Sequence, residues 1–228
     1  METVHVTDAW HATFVGGHVG LLLIEPVDNS LQSYPLDEHK RALETAVRQK
    51  YAGMTRTDLQ QLASLNAYKT YYRKFNKTYH VQLQLESVVH KGKALPGVNP
   101  LVDTCFAAEL ETHLLTASHD ADKLVPPITI DASTGHETLH MMNGERKQIK
   151  ANDMMMTDAG GVVCTIIYGQ DKRTAVTVDT RQVLYVTHAP AGIARTAVAA
   201  HHDTLLRNVR LFAPDAEVRH RAIVTASG

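Results

Sequence analysis

A chain of 228 residues, 44% apolar and 21% charged, is long enough to bury a core as one or two domains. Its net charge of −1 excludes a bulk polyanion binder by composition, and no apolar run reaches the roughly 18 residues of a membrane span. Two cysteines, Cys105 and Cys164, stand far apart, which excludes a CxxC metal site and fits reduced, buried thiols of a cytoplasmic protein.

The chain opens with short β-like runs, "VHVTDAW", "ATFVGG" and "VGLLLIE", over residues 4–24. Gly16, Gly17 and Gly20 read as a turn between two strands. The apolar piece Gly16 to Ile24 is short and lacks a basic leader and a cleavage-like end, so no signal peptide is expected. Leu36 to Tyr51 predicts an amphipathic helix, opened by Pro35 and Asp37 and closed near Gly53. Thr57 to Ala67 predicts a second helix, with Thr57 as N-cap and Gln60 completing a capping box.

The composition then shifts. From Tyr68 to Lys93 there are six cations (Lys69, Arg73, Lys74, Lys77, Lys91, Lys93) against one acid, Glu86. Tyr68, Tyr71, Tyr72, Phe75 and Tyr79 recur at helical spacing, which places the rings on a core-facing stripe. The cations fit either a solvated face or a surface that meets phosphates.

Next comes "GKALPGVNPLVDTCFAAELETHLL", in which the Asn99–Pro100 turn precedes an apolar helical run carrying Asp103. Pro100 suits the first turn of a helix, where its missing N–H costs nothing. Asp103 fits two roles, locking the adjoining backbone or acting directly at a site. Beyond it the pattern turns to strands. "PPITIDAS" ends in a turn, Asn143–Gly144 marks a hairpin tip, "DMMMTDAGGVVCTIIYG" holds two strands with Met154, Met155 and Met156 in the core, and "RQVLYVTHAP" is a further strand. Ile193 to Phe212 predicts a closing helix. His201 and His202 there point in different directions, so neither the His201–His202–Asp203 cluster nor any other spacing predicts a metal. Helices, then strands, then a helix make an α+β order.

These motifs together resemble the B3/B4 domain of the phenylalanyl-tRNA synthetase β subunit and its free-standing relatives. The likeness rests on Val98-Asn99-Pro100-Leu101-Val102-Asp103, on Asp120-Ala121-Asp122-Lys123-Leu124, on Thr134-Gly135-His136-Glu137, and on a closing motif carried by Arg173, Thr174, Thr177, Asp179 and Thr180. It covers residues 66–212. "AYKTYYRKFNKT" resembles the helix preceding the signature in free-standing members.

The resemblance implies mixed and antiparallel sheets flanked by helices, with a cleft between sub-domains. It implies an N-terminal part, 1–65, packed on the same body as a core, 66–228, that ends in a helix. It further implies hydrolysis of mischarged aminoacyl-tRNA without metal, cofactor or stable protein partner. One free-standing group deacylates tRNA charged with canavanine, an arginine mimic, and the size and layout here are compatible with it. A buried acid facing the cleft would suit such a cationic side chain, with Asp171 and Asp179 as the candidates. The implied catalytic residues are Asn99, Asp103, His119, Asp171 and Asp179. The implied substrate-binding residues are Tyr72, Arg73, Lys74, Arg173 and Thr177.

The chain departs from the family at two points. Ala117 stands where the synthetase has its editing histidine, with His113 and His119 nearby. Lys172 and Arg173 stand where it has a glutamate. Two alternatives therefore remain beside the deacylase: a non-catalytic binder of tRNA or a small molecule, and a hydrolase of another ester or amide. No nucleophile motif is present, and an aminoacyl ester is reactive enough to need only a held carbonyl and a positioned water.

Overall fold

The computed structural model describes residues 4–30 and 32–227. Residues 1–3, 31 and 228 of the predicted ranges lie outside the described residues. In chain order the elements are β1 (Val4–Val6), α1 (Asp8–Thr13), β2 (His18–Glu25), α2 (Tyr34–Lys50), α3 (Arg56–Leu59), α4 (Ala63–Arg73), α5 (His80–Lys91) and α6 (Pro100–Thr112). They continue with β3 (Leu115–Asp120), β4 (Ile128–Ala132), β5 (Thr138–His140), β6 (Arg146–Gln148), β7 (Met154–Asp158), β8 (Gly161–Thr165), β9 (Gly169–Gln170), β10 (Val183–Ala189), α7 (Arg195–Val209) and β11 (Glu217–Thr225). The class is α+β, as expected.

Two sheets organise the body. One is antiparallel, in the order β11-β2-β10-β3. The other runs β1-β4-β7-β8-β9, parallel at β1–β4 and antiparallel elsewhere. The β5–β6 hairpin is a separate two-stranded ladder packed on the second sheet through the buried Leu139, with Gly144 at positive φ in its tip. Because side chains alternate along a strand, Leu21 and Leu23 of β2 join the main core while Leu22 and Ile24 join a second core with Leu101, Cys105, Leu205 and Val209. The first sheet is thus buried on both faces, and "VGLLLI" reads as an unbroken apolar run for that reason. Gly20 is small because α7 crosses there: a Cβ would meet His202 Nε2 at 2.5 Å.

Four local expectations are corrected. "DAWHAT" forms α1 rather than a strand, capped by the Thr7 hydroxyl, which accepts from Trp10 N–H. The turn glycines Gly16 and Gly17 therefore join a helix to β2, not strand to strand. The capping box lies at Thr55 and Asp58, not Thr57 and Gln60, so the expected single helix splits into α3 and α4. Finally, α7 does not end the fold. The polar alternation of "EVRHRAIVT" forms β11 on the outer edge of β2.

The aromatic stripe is core, as its spacing predicts, although the chain turns between α4 and α5 and Tyr79 precedes the second helix. The hydroxyls tie α4 to the sheets. Tyr71 donates to Asp153 Oδ1 at 2.7 Å, Tyr72 donates to the Ile166 carbonyl at 2.8 Å, and Tyr68 accepts from Leu115 N–H at 2.9 Å.

Candidate active site

The candidate site is built on the free edge of β3. Its inner edge pairs with β10. Its outward N–H groups have no neighbouring strand, and buried donors require partners. Glu109 Oε1 accepts from Thr116 N–H at 2.8 Å, Gln170 Oε1 accepts from Ser118 N–H at 3.1 Å, and the Thr174 carbonyl accepts from Asp120 N–H at 2.8 Å. Two side chains and one loop carbonyl replace a strand.

Above this edge opens a cleft of about 760 Å³, a size suited to a small organic group. Val88, Val102, Phe106, Met141, Met142 and Tyr168 give it apolar walls. Glu109, Thr116, Ser118 and Gln170 form its polar floor, with His80, Gln84, Ser87, Lys93 and Asn143 among the remaining lining residues. The walls come from α5, α6, β9 and the hairpin tip, so separate parts of the chain must fold together to make it.

Helix α6 positions the acid. The Asn99 side chain accepts from Val102 N–H at 3.1 Å, Pro100 fills the first turn, and His113 ends the helix in the left-handed region with its N–H on the Glu109 carbonyl. Residues on nearly every side of α6 are buried, which is the mark of a central helix. Glu109 is only 4% exposed, and its Oε2 has no hydrogen-bond partner among the described residues. Burial pushes its carboxyl up to about 8, against the lowering effect of the Thr116 N–H. Burial thus favours the acid form over the carboxylate. The same burial raises the Cys105 thiol well above its ordinary range.

His201 of α7 braces the floor. Its Nδ1 lies 2.7 Å from Thr112 Oγ1 and its Nε2 lies 2.6 Å from Thr116 Oγ1. Burial lowers this imidazole to about 3, so it is neutral and can donate from only one nitrogen. The Thr112 hydroxyl also lies 2.8 Å from the Ala108 carbonyl. The network is satisfied with a proton on Nδ1, the Thr112 hydroxyl donating to Ala108, and the Thr116 hydroxyl donating to Nε2.

The sequence-predicted residues fall into five places. His119, Asp171 and Arg173 do meet. His119 Nδ1 lies 2.8 Å from Thr174 Oγ1, the Thr174 hydroxyl donates to Asp171, and Arg173 Nε lies 3.5 Å from Asp171. None of these three lines the cleft. His119 is fully buried and lowered to about 3 by burial and by His188 and Arg173, so it does not accept a proton near neutrality. Burial raises Asp171.

Asn99 and Asp103 line a separate pocket of about 180 Å³ with Asp37. Asp103 accepts from Val98 N–H at 2.8 Å and pairs with Lys40 at 2.7 Å, the backbone-locking geometry. Thr177 and Asp179 lie in an exposed turn, where Asn29 donates to the Thr177 carbonyl. Of the substrate-binding set, Tyr72 is sealed in the core at 2% exposure, and Arg73 and Lys74 are exposed away from the cleft lining. Sequence reasoning passed over Glu109 and Gln170. Glu109 had a legible signal, a lone acid inside "CFAAEL". Gln170 had none.

The family profile described as the B3/4 domain matches residues 63–215. An N-terminal fragment of the phenylalanyl-tRNA synthetase beta-subunit from Pyrococcus horikoshii shares the fold, with a TM-score of 0.51 at 11% identity. The alignment covers 97% of this chain and 54% of that one, so the chain spans about half of the fragment's length. No curated protein sequence matches. Among the described residues no helix is long and apolar enough to cross a membrane. With its signature run opening α6 and its matched region supplying the walls and floor of the cleft, the chain belongs to the B3/4 domain family.

Proposed function

We propose that the chain is a free-standing editing factor that hydrolyses the ester of mischarged aminoacyl-tRNA, with tRNA(Arg) carrying the arginine mimic canavanine as the candidate substrate. The carrying observation is the buried, half-free Glu109 carboxyl in the floor of a cleft with room for an aminoacyl group. An entering guanidinium-like cation stabilises the ionised form and pairs with the vacant Oε2. A neutral or acidic side chain leaves the carboxyl without such a partner, and that difference makes a sieve.

Gln170 and Ser118 act on the ester. With Gln170 Oε1 held by Ser118 N–H, the Gln170 amide NH₂, whose own contact is the weak acceptor Met142 Sδ at 3.8 Å, supplies a donor for the carbonyl oxygen as it becomes an oxyanion. Attack by water on the ester carbon breaks the bond to the ribose oxygen, and the neighbouring ribose hydroxyl relays the proton to that leaving oxygen. Amino acid and uncharged tRNA result, and no covalent enzyme intermediate forms.

The test is single-turnover deacylation across a panel of mischarged tRNAs. Cationic aminoacyl groups should be released fastest, and Glu109→Gln should reduce that preference by about 10- to 100-fold, the worth of a charge-assisted hydrogen bond. Binding without hydrolysis of any panel member would overturn the deacylase reading in favour of the non-catalytic binder or the hydrolase of another bond.

A further inference from the structure

The cleft has a charged lip that neither Arg73 nor Lys74 supplies. Lys77 places its ammonium 4.5 Å above the ring of Tyr168, a cleft-wall residue, and donates to the Ile167 carbonyl at 3.3 Å. The cation is therefore held against a wall residue of the cleft rather than swinging free. Arg146 and Lys147 are exposed on β6, whose hairpin sends Met141, Met142 and Asn143 into the cleft wall. Lys150 follows on the same stretch and is also exposed. Lys147 and Lys150 are near enough to Lys77 to disfavour its charged form, after burial itself. Among the described residues none of these four cations forms an ion pair.

Unpaired cations held close together repel one another. A polyanion relieves that repulsion and gains by counterion release. The buried Asp153 is the one carboxylate that raises Lys77, and its oxygens are taken by Tyr71 and by Ile167 N–H. Around Lys77 the field is set by the neighbouring lysines.

We infer that the single-stranded end of an RNA enters the cleft across the lip formed by Lys77, Lys147 and Lys150, with its phosphates on the lysines and its terminal group below Tyr168. The ligand's identity rests on the deacylase reading, while the location of the lip rests on the structure. Arg73 and Lys74 lie outside this path.

The experiment measures binding of bulk uncharged tRNA to the whole protein as a function of salt. The triple variant Lys77→Gln/Lys147→Gln/Lys150→Gln should bind more weakly, and its log–log salt slope should fall in magnitude by about 2, from three single-strand contacts of roughly 0.7 each. The pair Arg73→Gln/Lys74→Gln should keep the wild-type slope. Thermal melts of both variants establish that they are folded. A folded triple variant with the wild-type slope, a slope lost in the Arg73/Lys74 pair instead, or a wild-type protein that binds no tRNA at low salt would overturn the inference. If the slope falls as expected but wild type hydrolyses no mischarged tRNA, the lip stands and the deacylase reading fails. If wild type hydrolyses and the triple variant keeps its slope, the reverse holds.

Discussion

Lys40 on α2 places its ammonium 2.7 Å from the Asp103 carboxylate on α6, with side chains 7% and 8% exposed. Lys40 also donates to the Pro96 carbonyl at 2.8 Å. The pair thus clamps the loop before α6 from both sides. Removing one partner of a buried pair leaves an uncompensated charge, which costs about 3–5 kcal/mol. Lys40→Met should lower the urea-unfolding free energy by that amount, and Lys40→Met/Asp103→Leu should recover a large part of it. A small loss in the single variant would show that water reaches the carboxylate.

The Glu109 carboxyl gives the stability curve a recognisable slope. Its folded value, near 8, is above its ordinary value of 4.5. Between these limits the folded state binds more protons than the unfolded state, so this group makes stability fall as pH rises from about 4.5 to 8 and level off above. Glu109→Gln should flatten the fall by about 1.4 kcal/mol for each pH unit removed. Asp153, raised to about 6 by burial, titrates lower in the same direction and stays in both proteins. Denaturant titrations of both proteins at several pH values isolate the difference.

Buried imidazoles impose the opposite slope. Burial lowers His119 and His201 to about 3, and His113, His188 and His202 to about 4. Below the ordinary value of 6.5 the unfolded chain gains protons that the folded chain refuses. Stability from these groups is full above about 6.5 and drains as pH falls toward their folded values. Acid unfolding should therefore be steep, and His119→Gln should reduce the steepness measured between pH 6 and pH 4 on the order of 1 kcal/mol per pH unit. An unchanged curve would mean that His119 is protonated in the fold.

Tyr71 joins α4 to the second sheet through its hydroxyl, which donates to Asp153 Oδ1 and accepts from Met154 N–H at 2.6 Å. Tyr71→Phe removes both contacts and keeps the ring. It should cost about 1–3 kcal/mol, the penalty for polar groups left buried without a partner. Equal stability in a chemical melt would require that water replaces the hydroxyl.

The two thiols should differ in labelling. Both are raised by burial, so native alkylation is slow at each. Cys105 lines the cleft and Cys164 is fully enclosed. Mass spectrometry should find Cys105 labelled first, protected when the cleft is filled, and Cys164 labelled only on unfolding. Early labelling of Cys164 would place it on a locally opening strand.

The fold was legible where one local rule acted alone. The spacing of Tyr68, Tyr71 and Tyr72 gave a buried stripe, Asn143–Gly144 gave a hairpin, and Asn99–Pro100 gave a helix start. The class and the family followed from the order of such pieces. β11 was missed because "EVRHRAIVT" is mostly polar, as suits an outer strand that water reaches on one side. α1 was missed because six residues are too few to show a helical period.

The cleft was less legible. Its floor depends on Glu109 and Gln170 meeting one strand edge from places 61 positions apart in the chain, and no local pattern encodes that meeting. Motif order placed Asn99 and Asp103 in the right helix but not on the face that opens to the cleft.

The side chains that plug the β3 edge also guard the protein against itself. An exposed strand edge with free N–H groups is a template for another chain. Glu109 and Gln170 occupy that template, so the residues proposed to read the substrate also deny two N–H groups of that edge to a second strand. Alanine at both positions would do more than empty the cleft. It would bare Thr116 and Ser118 N–H groups to any passing strand, and inactivity in such a variant could be self-association in disguise. Scattering measurements beside every assay of this floor would tell a lost reaction from a changed state of association.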